Sequence, residues 1–253
     1  KAAAAAARQE AAAIEQKRQR KIRIIGGLVV VIVMGALIAI PLVSNKDAVI
    51  PADAALPKGV TSDTYGVKVG SAWTAADSAD VPLLQLWEDF QCPACRSFEA
   101  VNNEYIKQVI AEKKAKVVFH PLTFIGERSS NGVNESIIAA NASACAMDEG
   151  KFLEMHELIY QNQGAENSGR YSKEFMIMLG IKAGLSSAKF QDCVSNGNYD
   201  DWTQASASFA AVKNVNSTPT VTVNGKELSR ETPDNDYNNP AKFKAALAAG
   251  GIK

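Results

Sequence analysis

The longest apolar run of the chain covers residues 24–43, twenty residues without Asp, Glu, Lys or Arg. A helix of this length reaches about 30 Å, the thickness of the hydrocarbon core of a bilayer. A secretory signal peptide is the alternative, but its apolar region is shorter, about 7–15 residues. The pattern therefore predicts a single transmembrane helix over 24–43.

The charges on the two sides of this run are unequal. Residues 1–23 carry seven basic and two acidic residues, a net charge of +5, although the whole chain of 253 residues is neutral. Basic residues before the helix predict a cytoplasmic N-terminus and an extracytoplasmic body, where disulfides persist. The Ala-rich composition of 1–23 favours a cytoplasmic helix. The neutral total gives no reason to expect nucleic acid as a partner.

Beyond the apolar run the pattern changes from irregular to periodic. Residues 44–64 contain Pro and Gly without periodicity, which indicates a linker. Residues 81–90 predict a buried strand, 93–113 an amphipathic helix and 115–122 a second strand. Strand, helix and strand in this order indicate a parallel βαβ unit in an α/β domain over 65–253.

The second half of the domain is mostly helical in pattern. Helical spacing covers 131–196, where Val133 and later apolar residues are expected to face inward, and resumes around Trp202. A hairpin is predicted over 220–228, because Asn224-Gly225 suits the left-handed positions of a type I′ turn. Asn239 followed by Pro240 predicts the start of a last helix.

The candidate chemistry lies between the first buried strand and the first helix, at Cys92-Pro93-Ala94-Cys95. The unpaired N–H groups of a helix start favour the thiolate of Cys92, which we expect to be exposed. Cys95 shares the apolar arc of the helix and is expected to be buried. An exposed acidic thiol beside a shielded one is the arrangement that thiol–disulfide exchange requires. The alternatives are an inert disulfide and a zinc site, but zinc usually needs a second ligand pair at short spacing.

With these residues the chain resembles the DsbA-like thiol–disulfide oxidoreductases of the thioredoxin-fold family, of the membrane-anchored bacterial type. The resemblance covers about 64–250 and is carried by Asp89–Cys95, by Cys145 to His156 within a helical segment over about 129–196, and by Ser217–Thr220. It implies a thioredoxin fold with an inserted helical subdomain, preceded by the transmembrane helix.

The resemblance also implies roles for individual residues. Cys92 and Cys95 would be catalytic, with Pro93 and Ala94 forming the active-site loop and no metal or other cofactor. Thr218 and a cis Pro219 would offer backbone groups to an extended substrate strand. The substrates would be cysteine-containing exported proteins, and a membrane redox partner would reset the redox state.

A second cysteine pair, Cys145 and Cys193, lies on apolar faces of predicted helices. Free buried cysteines are common in protein cores. An exported domain and the resemblance both favour a structural disulfide between them, since relatives with an extra pair place it in this insertion.

Two positions depart from the pattern of the family. The residue pair between the cysteines often includes His there and is Pro93-Ala94 here, which implies a less stabilised thiolate. A reduction potential between that of thioredoxin, about −270 mV, and that of DsbA, about −120 mV, is therefore expected. The buried acid that the family carries six residues before the first cysteine is replaced by Leu86. Glu88 and Asp89 are nearby, but the sequence alone does not aim either at Cys95.

Two further readings follow from the residues outside the motif. The Ala-rich segment and the glycines at 26, 27 and 35 are compatible with docking to a membrane protein through 1–45. The chain would then be an accessory subunit of a membrane complex, an alternative to a free-standing enzyme. His156 is expected to be a core histidine, and His120 to end a strand.

Overall fold

The computed structural model describes residues 54–74, 80–130, 132–232 and 235–253. The predicted cytoplasmic helix at 1–23 and the predicted transmembrane helix at 24–43 lie outside these ranges. Within the described ranges, no helix combines the length and the apolar character needed to cross a membrane.

A five-stranded sheet forms the centre of the domain, in the order β1-β3-β2-β4-β5. Strands β2 and β3 run parallel, with Leu84 opposite Val117, and the other neighbouring strands pair antiparallel. The predicted βαβ unit is thus confirmed. The strands are β1 (Val67–Val69), β2 (Leu83–Glu88), β3 (Lys116–Pro121), β4 (Thr220–Val223) and β5 (Lys226–Glu227), and a separate short ribbon consists of β6 (Glu231–Thr232) and β7 (Asn235–Asp236).

Seven α-helices accompany the sheet in the described ranges. They are α1 (Pro93–Ala111), α2 (Glu135–Asp148), α3 (Phe152–Gln161), α4 (Lys173–Lys182), α5 (Ala188–Asn196), α6 (Asp200–Val212) and α7 (Pro240–Ala249). Helices α2 to α5 follow β3 without an intervening strand, and they form the helical insertion expected over about 129–196. The architecture is a thioredoxin-like α/β fold with this insertion.

Local turn and cap chemistry agrees with the sequence. Asn224 and Gly225, between β4 and β5, have φ values of 50° and 79°, both positive as a type I′ turn requires. The Asn239 side chain accepts hydrogen bonds from the N–H groups of Ala241 and Lys242 at the start of α7.

Several positions differ from the sequence-based expectation. Val60, within the predicted linker, is buried against the core, so residues 54–64 pack on the domain in turns. Val133, expected on an inward face, is 46% exposed because the helix begins only after the N-cap Asn134. Val101 and Val212, although apolar, lie on the exposed sides of α1 and α6.

Candidate active site

Cys92 lies between the end of β2 and the start of α1. It is the N-cap residue of the helix, with Pro93 at the first helical position, and its carbonyl accepts the N–H of Arg96 at 3.1 Å. Pro fits there because the first N–H groups of a helix have no partner inside it. Cys92 exposes 7% of its surface and Cys95 none, so Cys92 is more shielded than the sequence suggested.

The loop before β4 covers the Cys92 thiol. The Thr218–Pro219 peptide bond is cis, and the Thr218 carbonyl oxygen lies 3.6 Å from Cys92 Sγ, within reach of its S–H. A cleft of about 320 Å³ opens beside this contact. Its walls are Pro93, Ala94, Ser97, Pro219, Arg230, Tyr237 and Asn238. The residues that the resemblance assigned to catalysis, the active-site loop and substrate binding therefore meet in one place.

The two thiols of this motif have opposite electrostatic surroundings. Both are free. Hydrogen bonds from the Cys95 thiol, the Thr218 side chain and the N–H groups of Cys95 and Ala94 at the helix start lower the pKa of Cys92 to about 6. Burial raises the pKa of Cys95 well above its ordinary value. At neutral pH Cys92 is the thiolate and Cys95 is the thiol, which is the division of labour that exchange chemistry needs.

Behind the cysteines lies a buried cluster of two carboxyl groups and an imidazole: Glu88, Glu99 and His156. His156 Nε2 is 3.1 Å from Glu88 Oε2, and its Nδ1 is 3.9 Å from Glu99 Oε2. All three side chains are at most 5% exposed. Burial raises the pKa of Glu88 to about 8 and that of Glu99 well above its ordinary value, and it lowers the pKa of His156.

One ligand atom of each of these three residues lies within 4.8 Å of the others, close enough to consider a metal ion. His156, however, turns a different ring nitrogen toward each carboxylate. A single ion binds one imidazole nitrogen. The arrangement is therefore better suited to passing protons through the ring than to holding a metal.

The alternation of side chains along β2 is a sequence signal for the position of Glu88. Side chains alternate along a strand, so Glu88 shares the face of β2 occupied by Leu86, two residues earlier. Leu86 is fully buried, which agrees with the buried position of the acid that the family carries there. His120 lies on the other face, where its ring stacks on Trp87 at 3.6 Å, and it takes no part in the site.

Asp89 ties the motif to the helical insertion. Its Oδ1 accepts the N–H of Gln91 at 2.9 Å and the hydroxyl of Ser136 at 2.7 Å. Its Oδ2 accepts the N–H of Ile125 at 2.9 Å. Since Asp89 is fully buried, these three bonds hold the end of β2, the segment after β3 and the start of α2 together.

Cys145 of α2 and Cys193 of α5 are joined by a disulfide, 48 residues apart in sequence and with a Cα–Cα distance of 5.9 Å. The bond lies in the apolar cluster of the insertion, among residues such as Ala142, Met176 and Phe190.

Comparisons with known proteins point to one family. The sequence profile of the Thioredoxin family matches residues 72–247. The disulfide bond oxidoreductase DsbG of Mycobacterium tuberculosis is 27% identical over 68% of this chain and 80% of its own, with a TM-score of 0.55. Oxidised DsbA of the same organism is 26% identical over 73% and 99%, with a TM-score of 0.57. MdbA of Actinomyces oris, a thiol–disulfide oxidoreductase, is 21% identical over 78% and 93%, with a TM-score of 0.61, and shares the fold.

A search of curated proteins returned no match. The family match extends over most of the described domain and includes both cysteine pairs. The chain therefore belongs to the Thioredoxin family and is a thiol–disulfide oxidoreductase of the DsbA type.

Proposed function

We propose that Cys92 and Cys95 are the redox pair of this oxidoreductase and that it oxidises cysteine-containing exported proteins. One observation carries the proposal: the Cys92 thiol lies at a helix N-terminus and faces the Thr218 carbonyl before the cis Pro219, at the edge of a cleft. The helix start and the Thr218 side chain make the thiol acidic, and the cleft leaves room for a client chain.

The reaction proceeds through a mixed disulfide. In the oxidised enzyme a client thiolate attacks Cys92 Sγ, the Cys92–Cys95 bond breaks, and the bonding electron pair leaves on Cys95 Sγ, which takes up a proton. A second thiolate of the same client then attacks the client sulfur that is bonded to Cys92, and Cys92 leaves as a thiolate. The client gains one disulfide, and the enzyme gains two electrons and ends as the dithiol.

The cleft beside Cys92 fits an extended client segment. Pro93 and Ala94 form one wall and Pro219 the other, so that a client cysteine reaches Cys92 between them. Arg230 hydrogen-bonds the Thr218 carbonyl at 3.2 Å and thereby holds the loop that forms the second wall. Thr218 and Pro219 act through their backbone, which suits clients of varied sequence.

The test of this proposal is trapping of the mixed disulfide. Cys95→Ala removes the thiol that resolves enzyme–client disulfides, so clients should accumulate on Cys92 and appear as high-mass bands on non-reducing gels. Cys92→Ala is the matched control and should trap few clients. Equal trapping by both variants, or none by either, would exclude Cys92 as the exchanging sulfur.

We further propose that residues 24–43 anchor the enzyme in the cell membrane, with residues 1–23 in the cytoplasm and the domain outside. The charge difference between the two sides of 24–43 supports this orientation. A membrane-impermeant thiol label applied to intact cells should reach a cysteine added near Lys253 and miss one added near Lys1. The reverse labelling pattern would overturn the orientation.

A membrane redox partner that reoxidises Cys92 and Cys95 completes this scheme, with 1–45 as the docking segment. The small glycine positions at 26, 27 and 35 support close approach of a second helix. Gentle detergent extraction should retain the partner, and deleting 1–45 should release it. A full-length protein that runs as a lone monomer would contradict docking.

A further inference from the structure

Opening the Cys92–Cys95 disulfide creates a proton problem inside the protein. The leaving group, Cys95, is completely buried, so its thiolate cannot be neutralised by bulk water. Re-forming the disulfide requires the reverse, because Cys95 must lose its proton before it can attack. Leu86, at the position where the family carries an acid, is a hydrocarbon and handles no proton.

The cluster of Glu88, His156 and Glu99 has the geometry to carry that proton. Glu99 lies one helical turn after Cys95 on the buried side of α1, and the charge of Glu88 raises the pKa of Cys95. His156 lies between the two carboxyl groups, with Nε2 at 3.1 Å from Glu88 and Nδ1 at 3.9 Å from Glu99. A neutral imidazole has one donor and one acceptor nitrogen, so it can take a proton on one side and release one on the other.

The surroundings hold the imidazole in this orientation. Four aromatic rings enclose His156, with centroid distances of 4.8 to 5.5 Å. They belong to Phe90, Phe119, Phe152 and Tyr160. These rings keep bulk water away from His156, which is 3% exposed, so its polar neighbours are the two carboxyl groups that flank its ring nitrogens.

The carboxyl groups keep unused hydrogen-bonding capacity. Among the described residues, Glu88 Oε1 and both Glu99 oxygens have no hydrogen-bond partner, although they are buried. Two carboxylates this close in a buried site cannot both ionise at neutral pH, because each disfavours the charge of the other. Burial raises the pKa of both groups, and the charge of Glu88 raises that of Glu99 further, so the pair stores a proton at neutral pH.

The cluster has its own route to solvent. A cleft of about 370 Å³ between α1 and α3 reaches Glu99 and Tyr160. Its outer lining includes Arg96, Val101, Glu104, Glu157 and Gln161. Of the described residues, none lines both this cleft and the substrate cleft beside Pro219.

We propose that Glu88, His156 and Glu99 form a proton relay that gives a proton to Cys95 Sγ, and takes it back, through the cleft between α1 and α3. The relay rests on the proposed function. When the disulfide opens, the Cys95 thiolate takes the proton of the Glu88 carboxyl group. Glu99 then takes up a proton from water in the cleft, and His156 passes a proton from Glu99 to Glu88. Every step runs in reverse when Cys95 attacks.

Several other ionisable groups face the cluster and shift its titration. Asp89 and Cys92 face it from the end of β2 and the start of α1, Arg96 from the first turns of α1, and Glu157 and Tyr160 from α3. Glu157, at the mouth of the cleft, forms a salt bridge in which Lys107 Nζ lies 3.1 Å from Glu157 Oε2. Tyr160 also lines the cleft and interacts with Cys95, but burial raises its pKa well above the ordinary value, so at neutral pH it stays protonated.

The test measures the step in which Cys95 attacks. Full-length protein carrying a glutathione mixed disulfide on Cys92 is mixed with buffer of varied pH, and release of glutathione is followed by stopped flow. Glu88→Gln and Glu99→Gln should slow release at pH 7 on the order of 10²-fold, the usual size of a general-base contribution. Their rates should rise steadily with pH and approach that of the wild type in alkali, where hydroxide replaces the relay.

Matched variants separate the relay from charge and from folding. Glu104→Gln removes a carboxylate of the same cleft that is 85% exposed and should leave the profile unchanged. Val101→Trp fills the exposed cleft wall and should slow release without altering the cluster. Glu88→Asp, which keeps a carboxyl group, should recover part of the rate.

The outcomes separate the relay from the function beneath it. A wild-type protein that never releases glutathione contradicts the proposed function. A wild-type protein that does, with Glu88→Gln and Glu99→Gln matching it at every pH, overturns the relay alone. A rate loss of equal size at all pH values also overturns it, because that is the result of a distorted site.

Discussion

The two cysteine pairs of this protein belong to the same buried apolar cluster and yet differ in chemistry. Cys92 and Cys95 are free thiols three positions apart, whereas Cys145 and Cys193 form a disulfide across 48 residues. Burial does not separate them, since Cys193 is 5% exposed and Cys92 is 7% exposed. Polar surroundings do: a helix start and a carbonyl at the first pair, and packed apolar side chains at the second.

The difference shows what turns a buried cysteine into a reactive one. A thiolate needs donors and dipoles directed at its sulfur, which Cys92 has at the N-terminus of α1. A structural disulfide needs only two sulfurs in register and an apolar shell that excludes reductants. The insertion that carries the second pair also supplies His156, so one segment serves both the structural disulfide and the reactive site.

The largest expected difference between the two pairs appears when each pair is removed in turn and disulfide exchange is measured. Cys92→Ala should abolish oxidation of a reduced model client, a loss of at least 10³-fold, because the sulfur that forms the mixed disulfide is gone. The double variant Cys145→Ala with Cys193→Ala should retain exchange wherever the domain is folded. Loss of exchange in the folded double variant would show that the second pair takes part in electron transfer.

Stability should show the opposite order. Replacing both Cys145 and Cys193 by Ala should lower the free energy of unfolding by about 2–4 kcal/mol, because the bond closes a long loop in the unfolded chain. Urea titration of the oxidised protein measures this. The matched variant is Cys92→Ala with Cys95→Ala. It removes a bond that closes only a very short loop, so its loss of stability should be smaller. Equal losses in the two variants would contradict a purely structural role for the second pair.

The link between the two regions can be tested at Asp89. Asp89→Asn keeps the size of the side chain but turns an amide donor toward one of the three N–H or O–H groups that Asp89 now accepts. Burying such a mismatch should cost about 1–3 kcal/mol in the free energy of unfolding. Glu127→Gln, on an exposed residue nearby, is the control and should change little. If Asp89→Asn and the control change the free energy of unfolding equally, the three hydrogen bonds of Asp89 make no net contribution to stability.

The smallest expected effect is a pH dependence confined to the first pair. The pKa of Cys92 is lowered to about 6, so the reduced domain gains stability that is fully present above the ordinary thiol pKa and is lost as pH falls through 6. The buried carboxyl groups titrate in the same range in both proteins, so the loss should appear as the difference in unfolding free energy between the reduced protein and Cys92→Ala from pH 9 to pH 5. Iodoacetamide should alkylate Cys92 with a midpoint near the same pH, and Cys95 only in alkali.

The reduction potential should follow from the same acidity. A pKa of about 6 lies between the thiols of thioredoxin, about 7, and DsbA, about 3.5. A thiolate of intermediate stability supports a potential between about −270 and −120 mV, which equilibration with glutathione measures. A value outside this window would show that groups other than Cys92 set the balance.

Much of the fold follows from local patterns. The buried strand, the helix and the second strand around Cys92 are readable from period and length, and the Asn224-Gly225 turn and the Asn239 cap are readable from single residue preferences. Errors fell where burial depends on distant contacts, as at Val60, and where the start of a helix was placed too early, as at Val133. The anchor at 24–43 is a prediction from charge and length that only experiment tests.

By itself the sequence determined the Cys92-Pro93-Ala94-Cys95 motif, its place at a helix start and the α/β order around it, because each depends on neighbours within a few residues. Only the tertiary structure decided which groups surround the sulfurs. Thr218 and Glu88 lie 126 and 68 positions from their partners Cys92 and His156, and no local period links them. The acidity of one thiol and the proton supply of the other arise from such contacts, since electrostatic interactions depend on distance through space rather than along the chain.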